Sequence, residues 1–139
     1  MKGMVIYMRT FHLEIVTPDG PAFDGEAESL LVHTTEGDVE ILHGHMDYIA
    51  AVDVGRARVL ADGQPRLASC AGGFLSVSGG EVRLVAVTFE FAEDIDAKRA
   101  MAAKERAERA IANAKDRQSK KIAEAKLLRA LNRLRIAKK

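Results

Sequence analysis

His43 and His45 flank a single glycine, with His33 upstream, and they are the one group in this sequence whose type and spacing suit a metal ion. Structural zinc takes four such ligands and catalytic zinc three plus water. No further partners stand at a fitting spacing, so the pair reads as a surface loop after a strand, and no metal site is expected. Cys70, the single cysteine, lies in an apolar run and reads as core filler rather than as a nucleophile. Without a second cysteine an intrachain disulfide is excluded, and a reducing compartment fits. The chain holds no Gly-x-x-x-x-Gly-Lys-[Ser/Thr] phosphate loop, no Gly-x-Ser-x-Gly elbow and no His-Glu-x-x-His. These residues describe no enzyme and require no cofactor.

The charged residues point to binding instead. Residues 1–93 carry six Lys/Arg against fourteen Asp/Glu, a net of −8, whereas residues 94–139 carry fifteen against six, a net of +9. The whole-chain charge of +1 therefore hides two modules of opposite sign. Composition breaks at the same place. All eleven glycines, from Gly3 to Gly80, all three prolines and every Phe and Tyr lie at or before Phe91. The opening Met1-Lys2-Gly3-Met4-Val5-Ile6-Tyr7-Met8 has an apolar run too short for a signal sequence. Residues 1–8 read as an upstream extension, with Met8 an alternative start. No stretch approaches the ~20 apolar residues that span a bilayer.

Residues 9–91 read as short strands punctuated by turns. Phe11, Leu13 and Ile15 alternate with His12 and Glu14, the period-2 pattern of a half-buried strand. Further strands are expected over residues 28–33, 49–54, 56–59, 65–70, 74–77 and 81–87. Turns at Pro18-Asp19-Gly20, Glu36-Gly37, Asp62-Gly63 and Ser78-Gly79-Gly80 separate them. With no helical run between them, these strands indicate an antiparallel β-sandwich or barrel.

Residues 92–139 read as helical, with Asp94 the expected N-cap and Ile95 the first residue. Ala100, Ala103, Ala107, Ala110 and Ala114 follow 3-4-3-4 spacing, and Ala123, Leu127, Ala130, Leu134 and Ala137 follow 4-3-4-3. Two seams of small residues let antiparallel helices approach closely, so a two-helix hairpin is expected. The seams are poor in large apolar groups, which makes the hairpin marginal. Asn113, Asp116 and Ser119 are only mild breakers. The same segment can therefore also run as one helix about 65–70 Å long at 1.5 Å per residue, a two-state element. The fold class is α+β in segregated modules.

Three stretches carry a family resemblance. Glu36-Gly37-Asp38-Val39-Glu40-Ile41-Leu42-His43-Gly44-His45 is similar to a Glu-Gly-(acid)-Leu-Gly-Ile-x-Pro-Gly-His loop, Gly72-Gly73-Phe74-Leu75-x-Val77 to a Gly-Gly strand pair, and Ile95-Asp96-x-x-Arg99-Ala100 to an (Ile/Leu)-Asp-x-x-Arg-Ala helix opening. In this order, followed by an Ala/Arg-rich hairpin, the chain resembles the epsilon subunits of bacterial F-type rotary ATP synthases along almost its whole length. It departs from them at His43, where Pro is usual, at Glu40 for Gly, and at Met46-Asp47.

The resemblance implies a non-catalytic central-stalk subunit of a proton-translocating synthase, peripheral on the cytoplasmic face of the bacterial cell membrane. The sandwich would grip the gamma subunit and sit on the c-ring, with Asp38, His43 and His45 at those contacts and Asp38 free to pair with a basic group of the ring. The hairpin would regulate ATP hydrolysis by extending among the alpha and beta catalytic subunits. Arg109, Arg117, Lys120, Lys121 and Lys126 would form the basic face drawn to an acidic surface there. Some family members bind ATP at the compact hairpin, and the matching positions are Glu90, Ile95, Asp96, Arg99, Ala100, Arg106, Arg129 and Arg133. Arg129 and Arg133, at i and i+4, share a helix face and can reach one polyphosphate, whereas Asp96 and Arg99 can equally form a capping pair. ATP bound only to the closed form would stabilise it by about 2.7 kcal/mol at a hundredfold excess over Kd. The alternative reading is a nucleic-acid-binding adaptor with a basic hairpin. It lacks aromatic residues among the basic helices, and the acidic sandwich would repel phosphate.

Overall fold

The computed structural model describes residues 9–137, so the expected extension over residues 1–8, with its alternative start at Met8, lies outside the described residues. Eight strands come first: β1 (Phe11–Thr17), β2 (Gly20–Ala27), β3 (Ser29–Thr34), β4 (Gly37–Ile41), β5 (Tyr48–Ala51), β6 (Gly55–Ala61), β7 (Gln64–Ser78) and β8 (Glu81–Phe91). A 3-10 turn over Ala92–Asp94 leads to α1 (Ala97–Ala112) and α2 (Arg117–Ala137). Among the described residues no helix is long and apolar enough to cross a membrane.

The strands form one continuous ladder, β2-β1-β8-β7-β6-β3-β4, with β5 added to β7. β7 belongs to both layers of the resulting sandwich. Its first half pairs with β6 up to Cys70, and its second half pairs with β5 from Phe74 onward, while β8 follows it from Ala68 to Ser78. The bend between the halves falls at Gly72 and Gly73, both at positive φ. A Cβ on Gly73 would lie 1.8 Å from the Val85 carbonyl oxygen, so only glycine fits. This bend explains why residues 65–70 and 74–77 read as two strands in the sequence but form one. β2 and β4 escaped the sequence reading because Ala22 and Phe23 break the alternation of one, and the other, though Asp38 and Glu40 alternate with Val39 and Ile41, is only five residues long with one fully buried side chain. One pairing departs from the antiparallel expectation, since β1 runs parallel to β8.

Leu13, Ile15, Leu30, Val32, Ile41, Val59, Leu75 and Leu84 fill the space between the layers. Cys70 is buried with them, and burial pushes its thiol up to about 12, out of reach of thiolate chemistry. Every residue of this core belongs to the sandwich; the helices contribute none. The sandwich and the hairpin are therefore packed separately.

The helix boundary also differs from expectation. Ile95 is extended, Asp94 closes the 3-10 turn, and Asp96 is the N-cap, its Oδ1 accepting from Arg99 N at 3.1 Å. Asp116 does the same for α2, accepting from Ser119 N at 2.7 Å, and this bond holds its carboxyl below the usual range. Buried alanines, Ala100 and Ala107 on α1 and Ala123 and Ala130 on α2, form the seam, whereas Ala110 is exposed near the tip. The 3-10 turn is tied to β7 by Arg66, whose Nε donates to Glu93 Oε2 at 3.0 Å and whose guanidinium stacks 3.6 Å over the Phe91 ring.

On the outer face of the first layer, His12 Nδ1 lies 2.7 Å from Glu81 Oε1 and Nε2 lies 2.6 Å from Asp24 Oδ1. Only a doubly protonated ring donates to both. Glu81 first and Asp24 second raise its pKa to about 9. A folded-state pKa above the unfolded 6.5 means that the stabilisation is complete below about pH 6.5 and is lost as pH rises through about 9. The melting temperature of the protein is therefore expected to fall between pH 6.5 and 9, and His12→Gln should flatten that slope. A slope equally steep in the variant would show that other groups cause it.

Candidate functional site: a docked helical arm and the cleft beneath it

α2 carries a second buried face besides its alanine seam, formed by Asn132 and Ile136 one turn apart. Asn132 Nδ2 donates to Gly55 O and to Ser69 Oγ, both at 2.9 Å, and its Oδ1 accepts from Arg135 Nη2 at 2.8 Å. The carboxamide is only 5% exposed, yet both its ends are satisfied, as a buried amide must be. Ser69 points away from the core between the inward Ala68 and Cys70, and α2 covers it. The next residue, Arg133, donates from Nε to Glu90 Oε1 at 2.6 Å. Ser69 and Glu90 are register partners across β7 and β8, so two consecutive side chains of α2 grip one rung of the ladder.

Beside this grip lies a cleft of about 150 Å³, lined by Glu90, Ile95, Asp96, Arg99, Ala100, Ala103, Arg106 and Arg133. The sheet supplies Glu90, the first turns of α1 supply Arg99 and Arg106, and α2 supplies Arg133. Of the positions expected to bind a nucleotide, Arg129 alone lies outside the lining, and Ala103 is an addition. Asp96 is already engaged as the α1 cap and Arg133 with Glu90. Small-molecule sites usually enclose ~300–1,000 Å³. In this state the cleft is closed down around its own ion pair.

The other expected site residues are dispersed. Asp38 is not a free carboxylate. Its Oδ1 is 2.8 Å from His33 Nδ1, its Oδ2 is 3.6 Å from Arg56 Nη2, and the His33 bond above all lowers its pKa. His43 Nδ1 bonds Thr10 O at 2.8 Å and His45 Nδ1 bonds Met46 O at 2.8 Å, so the three histidines do not converge. Among the described residues no group of three or more metal-ligating side chains forms. Arg109, Arg117, Lys120, Lys121 and Lys126 are all exposed, and none makes an ion pair among the described residues. On the sandwich, Met46, Ile49 and Val87 are 76%, 72% and 60% exposed, and Leu42 and Phe74 are also exposed beside them in the fold or sequence. Sequence reasoning missed Asn132. Its one signal was an Asn, a poor helix former, inside a strong helix four residues before an isoleucine.

A family model described as ATP synthase, Delta/Epsilon chain, beta-sandwich domain matches residues 10–92, and one described as the long alpha-helix domain of the same chain matches residues 93–138. Among curated relatives, the ATP synthase epsilon chain of Bacillus velezensis is 43% identical over 94% of this chain and 98% of its own length. That of Bacillus subtilis is 40% identical over 95% of this chain and 100% of its own. Among solved structures, a chain of the Euglena gracilis mitochondrial ATP synthase superposes with a TM-score of 0.72 at 23% identity, covering 90% of this chain and 79% of its own length. A chain of the Tetrahymena thermophila mitochondrial ATP synthase superposes at 0.62 and 11% identity, over 95% of this chain and 99% of its own. At those identities the likeness is one of fold.

The Arg133–Glu90 pair is partly exposed, so its loss should cost little in stability and much in docking. Arg133→Ala is expected to accelerate amide exchange in α2 about fivefold while leaving β7 and β8 unchanged. Equal acceleration in helix and strands would show that the hairpin and sandwich open as one unit.

Proposed function

This chain belongs to the ATP synthase delta/epsilon family and is a non-catalytic chain of that enzyme; we propose that it joins the gamma subunit to the c-ring in the central stalk and carries a releasable arm that restrains ATP hydrolysis. The observation that supports the arm most is the separation of cores. The sandwich interior holds no helical residue, and the hairpin rests on it through the polar contacts of Asn132 and Arg133 and the buried Ile136. Hydrogen bonds of this kind exchange with water at a net cost of only ~0.5–1.5 kcal/mol each. An arm attached in this way can leave without unfolding its base.

The surface of the base supports the stalk role. The apolar group of Met46, Ile49, Phe74 and Val87 adjoins His45 in the sequence or faces outward from β5, β7 and β8, and it suits a permanent protein contact such as gamma. The exposed basic residues of the hairpin, Arg109, Arg117, Lys120, Lys121 and Lys126, suit an acidic surface of the alpha and beta subunits once the arm extends. The assembly would hold the chain peripherally at the cytoplasmic face of the membrane. ATP as a regulatory ligand has partial support: Arg99, Arg106 and Arg133 converge on one cleft, but its volume demands that Arg133 first leave Glu90. A polyphosphate would take the place of the Glu90 carboxylate and tie α1 to α2.

Removing residues 94–139 is expected to leave a folded sandwich that still co-purifies with gamma, in an assembly that hydrolyses ATP faster than the intact one. Loss of gamma binding would contradict this division of labour. In the intact chain, added ATP should shorten a distance between α1 and α2 measured by paired probes, and Arg106→Ala should abolish that response. A distance insensitive to ATP would remove the nucleotide from the account and leave the arm.

A further inference from the structure

On the far side of Asn132 from the nucleotide cleft, α2 and the edge of β3, β4 and β6 enclose a groove of about 880 Å³. His33, Asp38, Gly55, Arg56, Asn132 and Arg135 all line it. The expected ring-contact carboxylate and the grip on the arm thus share one wall.

Gly55 is the point of connection. Its carbonyl accepts from Asn132 Nδ2 at 2.9 Å. The His33 side chain occupies the space a side chain on Gly55 would need, since a Cβ there would lie 2.7 Å from His33 Cβ and 3.0 Å from Cγ. Arg56 is the residue that follows Gly55. Asp38 holds both neighbours, His33 through Oδ1 at 2.8 Å and Arg56 through Oδ2 at 3.6 Å. One exposed carboxylate therefore fixes the residue packed on Gly55 and the residue bonded to it.

We propose that Asp38 is a positioning residue for the arm: by holding His33 and Arg56 it aims the Gly55 carbonyl at Asn132, and a cationic side chain of a docked partner that draws Asp38 outward loosens the arm. The inference rests on the reading of the hairpin as a releasable arm. A guanidinium or ammonium competing for Asp38 offers the same charge as His33 and Arg56 and meets a side chain already half in water. When Asp38 turns to it, His33 and Arg56 lose their common anchor. The Gly55 carbonyl is then held only by the pairing of its own residue with Cys70 at the start of β6, and the hydrogen bond to Asn132 weakens. Contact at the base of the sandwich would in this way be reported to the arm on its side.

The full-length protein tests this with spin labels on Gln118→Cys and Asp62→Cys; the native Cys70 is buried and stays unlabelled. Asn132→Ala is expected to raise the open fraction of the arm about fivefold, and Asp38→Asn about threefold. The two combined should open the arm no further than Asn132→Ala alone, because both act through one hydrogen bond. Asp38→Glu, which keeps the charge, should restore the closed fraction. The proposal falls if Asp38→Asn leaves the open fraction unchanged, or if the effects multiply in the combined variant. It also falls if Asp38→Asn speeds amide exchange in β7 and β8, which would make the effect one on the fold. Arg133→Ala distinguishes the two layers of the argument. Opening in that variant without a response to Asp38→Asn removes the relay and leaves the arm standing, whereas an arm that stays shut in every variant overturns both.

Discussion

The carboxamide of Asn132 bridges Gly55 O and Ser69 Oγ across a surface where helix and sheet share few large apolar side chains. That single choice of polar over apolar contact sets the character of the docking. A leucine-rich interface of similar extent would gain about 25 cal/mol per Å² of buried surface and would close for good. A carboxamide gains little on docking, since water satisfies it equally well outside. What it supplies is direction: it fits one site in one register, and a helix displaced along the strands leaves Gly55 O and Ser69 Oγ covered without partners. The arm is specified closely and held weakly.

Electrostatics work in the same sense. The sandwich is acidic and the hairpin basic, so the two attract at long range, yet few of the charges meet. Among the described residues Arg133–Glu90 is the one ion pair that joins hairpin and sandwich across the ladder grip, while Arg66–Glu93 secures the connecting turn. The five exposed cations toward the tip remain in water. Their charge gives the end of the hairpin a positive field unmatched by its own carboxylates.

The two-module plan was legible because each module imposes its own period on the sequence. Alternation in β1 and small-residue spacing in the helices are both consequences of which side faces a core. The cleft was legible in large part as well, through a motif at 95–100 and arginines at helical spacing. What escaped depended on neighbours distant in the chain. β2 and β4 are edge elements with exposed carboxylates and one fully buried side chain each. Asp96 took the cap from Asp94 because the 3-10 turn, secured by Arg66, uses the first available turn. Asp38 looked free because its partners His33 and Arg56 come from two other strands. Asn132 was invisible because its meaning lies in a carbonyl and a hydroxyl of the sandwich more than sixty residues away.

The arm is not attached at a corner of the sandwich. It continues from β8, which is bonded to β7 on one side along its length and to β1 on the other, and the Arg66 clamp on the connecting turn sits immediately beyond its last residue. Load applied along β8 is therefore shared by many rungs at once, as in a lap joint, where an edge strand would peel one rung at a time. Any pull on the helices is therefore carried into the middle of the ladder, and the extended Ile95, between the 3-10 turn and α1, is the residue left to bend.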